Sequence, residues 1–119
     1  MTSKRTNPDF LNGVPELLIL KLLSRRPMYG YELVQAIRVA SGGLLEFGEG
    51  CVYPILHRLE AERLLVAKRE TVGGRSRVVY RVTPNGSKRL AGNVAAWQKV
   101  VRAVNQTLSG GEHGKAAFA

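Results

Sequence analysis

The chain has 119 residues, enough for one domain with one modest core. Its formal charge of +9 calls for a polyanionic partner, either nucleic acid or an anionic membrane. The single cysteine, Cys51, excludes an internal disulfide and fits a reducing cytosol, so a cytoplasmic location is expected.

The chain starts with a polar stretch that has no secretory signal pattern, and residues 1–9, with Lys4 and Arg5, read as a flexible basic arm. Asn12 or Gly13 can cap a first helix, with Pro15 in its first turn. Leu17, Leu18, Ile19, Leu20, Leu22 and Leu23 form more than one apolar stripe, which predicts a helix covered on two sides and ended by Pro27. Lys21 interrupts the run, which is far too short to span a bilayer, so membrane is disfavoured as the partner.

A second helix is predicted from about Tyr29 to Ser41, with Leu33, Ile37 and Ala40 inward and Gly42-Gly43 as its stop. A third runs from Gly48 or Glu49 to about Arg63. On that helix Val52, Ile55, Leu56 and Leu59 share a core side, while Gly50, Cys51, Pro54, His57, Arg58 and Ala61 share the other and Tyr53 lies on a flank. Small residues at its start let it enter a groove, His57 and Arg58 can donate to base edges, and the Tyr53 hydroxyl can reach a phosphate. An amphipathic helix with a merely solvated outer face would show the same pattern.

Two strand-like runs follow, Leu64–Glu70 and Arg77–Val82, joined by a glycine-containing loop over Thr71–Ser76. In the second run Val78, Tyr80 and Val82 alternate with Arg77, Val79 and Arg81. From Arg63 to Arg89 there are eight cations and one acid, Glu70, a local excess suited to a contact surface. Thr83-Pro84 then caps a last helix, expected to run to about Leu108 before a disordered glycine-rich tail at 109–119. Three helices, a basic two-stranded hairpin and a long final helix make a mainly α chain of winged helix-turn-helix layout. Residues 10–83 form the domain, and the hairpin is the wing, with Arg75 and Arg77 on phosphates.

These stretches resemble the PadR family of bacterial transcriptional regulators. The likeness rests on Gly13 with the Leu17–Leu23 run, on Pro27-Met-Tyr-Gly-Tyr-Glu-Leu33, and on Gly48-Glu-Gly-Cys-Val-Tyr-Pro-Ile-Leu-His-Arg-Leu-Glu60. It continues through Gly73-Gly-Arg75, Arg77, Tyr80, Arg81, Thr83, Gly86 and Leu90. Three features depart from the usual family pattern: Arg63 stands for a glycine, Val78 and Val79 for a lysine and a tyrosine, and Cys51 for a small hydroxyl residue or alanine. The resemblance implies a repressor of the short form, in which the final helix alone (84–108) is the dimerisation element.

That helix carries Leu90, Val94, Trp97, Val101, Val104 and Leu108 in steps of four and three, the period of helices packing along a shared line. A homodimer on an inverted-repeat operator is therefore expected, with Leu17 and Leu20 of the first helix receiving the partner's helix. Some short-form members bind flat aromatic ligands stacked on a tryptophan of this helix, which implies an effector site at Trp97, Val94 and Val101.

An enzyme is not expected. His57 and His113 form no metal-spaced cluster, no glycine-rich phosphate loop follows a strand, and Asp9 is the only aspartate. Glu46, Glu49, Glu60 and Glu62 read as charges offsetting nearby arginines. No cofactor or metal is implied. The competing function is a winged helix that binds protein instead of DNA, which the basic wing argues against; salt dependence of duplex binding separates the two.

Overall fold

Helix α1 spans Val14–Arg25 and begins as the sequence suggests, with Gly13 at its N-cap and Pro15 in the first turn, where a missing amide hydrogen costs nothing. The computed structural model describes residues 13–118, with side chains as far as residue 110. The arm expected over residues 1–9 lies outside the described residues. After α1 come β1 (Met28–Tyr29), α2 (Gly30–Ala40), α3 (Glu49–Ala61), β2 (Leu65–Val72), β3 (Arg75–Val82) and α4 (Pro84–Phe118).

The core lies where α1, α2 and α3 meet the sheet. Ile19, Leu20, Leu33, Ile37, Val52, Leu56, Leu59 and Leu65 are fully buried there, each worth about 1.5–3 kcal/mol of apolar burial. Leu20 was expected to meet a partner helix, and the structure corrects this. With Ile19, Leu22 and Leu23 it faces the chain's own core, so it has no surface left to offer. Leu17 is only half-buried and keeps an outward edge.

The sheet has three strands in the order β1-β3-β2, not the two expected of the wing alone. Met28 pairs with Tyr80 and Tyr29 with Val79. Two residues are too few to show a strand periodicity in sequence, so β1 was read as the start of α2. Its pairing makes β3 a central strand, which is why Val79, on the arginine-bearing face, is buried along with Tyr80. The hairpin turn is also tighter than the loop expected over Thr71–Ser76. Val72 pairs with Arg75, leaving only Gly73 (φ 60°) and Gly74 (φ 78°) between the strands. Two successive left-handed residues match the strand twist, a geometry glycine adopts without penalty.

Helix α2 ends at Gly42 and Gly43, with the Gly43 amide donating to the Arg38 carbonyl at 2.8 Å. Helix α4 starts at the expected Thr-Pro pair: the Thr83 hydroxyl accepts from the Gly86 amide at 3.0 Å and donates to the Arg63 carbonyl at 2.8 Å. Gly86 is required there, because a Cβ would overlap the Leu64 carbonyl oxygen. The helix does not stop near Leu108 but continues to Phe118, through the stretch expected as a disordered tail. Once a helix is nucleated each further residue fixed adds one hydrogen bond, so a helix can extend past the end of its apolar seam.

Candidate nucleic-acid interface

Helix α3 turns Val52, Leu56 and Leu59 into the core and leaves Gly50, Pro54, His57, Arg58 and Ala61 exposed. Cys51 and Tyr53 are half-buried at the edge of that face. The facing read from the sequence therefore brings these residues onto one surface. Gly48 at the N-cap offers no side chain to the first-turn amides. Pro54 has no amide hydrogen, so the carbonyl of Gly50, one turn back, also lacks its usual helical partner. Backbone donors and an acceptor thus sit beside small side chains. The Tyr53 and His57 rings stand 6.2 Å apart and tilted by 47°, forming an aromatic edge along the helix.

What fixes the pose of α3 was not evident in sequence. The Tyr53 ring lies directly on Gly30, the first residue of α2, in the space a Cβ would occupy. The Tyr-Gly-Tyr motif is thus a seat: Gly30 admits the α3 tyrosine, while Tyr29 turns to the wing. There the Arg77 guanidinium stacks 4.2 Å above the Tyr29 ring, with its Nε buried and without a hydrogen-bond partner. Arg77 is therefore anchored against β1, not displayed at the wing tip. Arg75, beside the Gly73-Gly74 turn, is exposed, as are Lys68 and Arg69, the latter donating to the Ser76 hydroxyl at 3.2 Å. Arg81 is neutralised by Glu70 at 2.6 Å, and its hydrogen bond holds the Glu70 carboxyl below the usual range. The positive surface of the hairpin thus runs from the middle of β2 to the tip at Arg75.

Arg58 is engaged within the chain. Its Nη2 donates to Glu16 of α1 at 2.8 Å and its Nη1 lies 3.5 Å from Glu62. Burial pushes the Glu16 carboxyl up, but hydrogen bonds from Asn93, Arg58 and Arg89 outweigh it and leave the group below its ordinary value. Glu62 and Glu46 offset arginines as expected, Glu46 lying 3.9 Å from Arg38. Burial pushes the Cys51 thiol pKa up, away from reactivity.

Between α1 and α4 lies an open groove of about 320 Å³ lined by Val14, Glu16, Leu17, Asn93, Trp97 and Val100, among others. Of the three residues expected at an effector site, only Trp97 borders it. Val94 and Val101 are half-buried, while Ala96 and Val100 supply the α4 wall. Leu90 packs on the core. Further along, Trp97, Val100, Val104 and Leu108 are 41, 50, 48 and 77 % exposed. No helix among the described residues is long and apolar enough to cross a membrane, and no group of three potential metal ligands occurs among them.

Residues 19–92 match the profile described as the transcriptional regulator PadR-like family. The chain belongs to that family. PadR-family proteins are DNA-binding transcriptional regulators, not enzymes, and this chain is one of them. A transcriptional regulator of Mycobacterium tuberculosis is 45 % identical over 105 residues, covering 88 % of this chain and 92 % of the relative. A Clostridium thermocellum transcriptional regulator has the same fold, with a TM-score of 0.76 at 27 % identity over 83 % of this chain and 97 % of that one. A PadR-like transcriptional regulator of Bacillus cereus superposes with a TM-score of 0.74 at 30 % identity, covering 85 % and 97 %. The winged helix with a long C-terminal helix is thus the PadR architecture, and the departure at Arg63 can be judged within it. Arg63 has a φ of 63°, so the turn keeps the left-handed backbone suited to the family's usual glycine.

Proposed function

We propose that this PadR-family regulator is a repressor that binds an inverted-repeat operator as a homodimer. The observation that carries the reading is the uncovered apolar side of α4, where Trp97 and Val100 stay partly exposed at the groove with α1 and Val104 and Leu108 stay exposed beyond it. A second copy is the natural cover for such a surface, and two-fold symmetry then presents two α3 helices to two half-sites. In each copy Gly50, Cys51, Pro54 and His57 face the major groove, Tyr53 reaches a flanking phosphate, and Arg75 and Arg77 hold the backbone beside the half-site. The part of Arg58 runs through its ion pairs.

Selection of bound sequences from a random duplex pool tests the reading, and a palindromic consensus is the expected result. His57→Ala should then cost about 1–3 kcal/mol on that operator and relax preference at one position per half-site. Repression is checked with a reporter placed behind the operator. Binding that is indifferent to salt would favour the protein-interaction module instead. We further propose that a planar aromatic effector stacks on Trp97, supported by the apolar groove beside it. Planar dyes should quench Trp97 fluorescence at one per dimer, and dye binding followed by calorimetry should be lost in Trp97→Leu.

A further inference from the structure

Three helices meet at one carboxylate. Oε1 of Glu16 accepts from Arg58 of α3 at 2.8 Å; Oε2 accepts from Asn93 at 2.8 Å and Arg89 at 3.1 Å, both on α4. Glu62, just past the end of α3, backs both arginines at 3.5 and 3.6 Å. Glu16 is the most shielded of the charged members, its side chain 17 % exposed against 40 % or more for Arg58, Arg89 and Glu62. The guanidinium of Arg58 therefore has its two terminal nitrogens directed at two carboxylates. An arginine that reads guanine presents its paired terminal donors to O6 and N7, and here those donors are engaged. Asn93 and Glu16 also line the groove beside Trp97, so the cluster joins the side of the molecule where a partner would sit to the helix that faces DNA.

We infer that Glu16 and Arg58 are positioning residues: together they lock α3 to α4, so that the pose of α4 sets the distance between the two reading helices. The inference rests on the dimeric, DNA-binding reading above. Arg58 acts through Glu16 and not by contact with bases. Losing either partner loosens α3 relative to α4, and what suffers is the match to half-site spacing, not the choice of base.

The test uses the full chain and the selected operator in two duplex series, one varying half-site spacing by single base pairs and one substituting each base in turn. Glu16→Gln, Arg58→Ala and Asn93→Leu should each weaken binding at the preferred spacing by roughly 2- to 30-fold. All three should flatten the spacing profile and leave the base profile unchanged. Glu16→Gln with Arg58→Ala should be no weaker than the worse single variant, because both remove the same link. Arg58→Lys should recover part of the spacing preference. Should Arg58→Ala prove poorly folded, Arg58→Lys and Glu16→Gln carry the same comparison. The inference is overturned if Arg58→Ala relaxes one base position while its spacing profile stays intact, or if Glu16→Gln matches wild type in both series. Those results leave the regulator reading standing, whereas a wild-type chain that shows no salt-dependent duplex binding overturns both.

Discussion

At Arg63 a long side chain occupies a backbone conformation that L-residues rarely adopt. The left-handed region places Cβ close to the following carbonyl at a cost of roughly 1–2 kcal/mol. Arg63 is exposed and ends α3, so nothing in the core depends on its side chain. Arg63→Gly should therefore raise the urea midpoint by an amount equivalent to about 1 kcal/mol, after allowing for the freer unfolded chain. A loss of stability would mean the arginine makes a contact that outweighs the strain. Glu16 gives a second residue-scale prediction. Its folded pKa lies below the ordinary 4.5, so its contribution to stability is present above that pH and disappears as pH falls through the folded value. Wild type should be more stable than Glu16→Gln at neutral pH, and the two melting curves should converge as acid protonates the carboxyl. A gap that stayed constant down to low pH would show that charge is not what Glu16 supplies.

At the scale of elements, the helices were legible because burial imposes a period: Leu33 and Ile37, or Val52, Leu56 and Leu59, repeat at helical spacing and are buried. What the period does not encode was missed. The pairing of Met28 and Tyr29 with β3 depends on residues 52 and 50 positions away, and the contact of Tyr53 with Gly30 depends on the angle between two helices. The exposed face of α3 was read correctly for the same periodic reason, yet the engagement of Arg58 by Glu16 could not be, since nothing local links the two positions. In the wing, the sequence grouped Arg75 and Arg77, but only the structure separates an exposed arginine from one stacked on Tyr29. Neutralising Arg75 by glutamine should weaken specific and random duplex alike and reduce the salt slope by about one unit. Arg77→Gln should do the same and also lower stability, because its stacking on Tyr29 is lost. An unchanged slope in the double variant would mean that the hairpin's charges are idle.

For the whole molecule, the decisive quantity is how far α4 reaches. From Pro84 to Phe118 its 35 residues extend roughly 52 Å at 1.5 Å per residue, while its anchors to the domain, among them Leu90, Asn93 and the groove wall, reach as far as Val100. Val104 and Leu108 lie past them. Replacing both with aspartate leaves the core untouched, so the helical signal and urea midpoint at high dilution should remain near wild type. Sedimentation should report monomer, and operator affinity should fall at least tenfold, since a single half-site forfeits the paired contact. A double variant that stays dimeric would place the interface elsewhere.

The seat of Tyr53 on Gly30 has a mechanical consequence. A contact with no room for a methyl group cannot be compressed, so α2 and α3 respond to force as one stiff body. The Glu16 cluster ties that body to α4 through Arg58, Arg89 and Asn93, so α4 behaves as a lever arm fixed to it near Asn93. Leu108 lies about 22 Å from that point, so a tilt of about 5° there moves the lever's far part by about 2 Å. Run in reverse, a displacement of that size imposed on the outer part of α4 turns the whole reading head by a few degrees without deforming it. Gly30→Ala would make the joint between α2 and α3 yield, turning a rigid pointer into a hinged one.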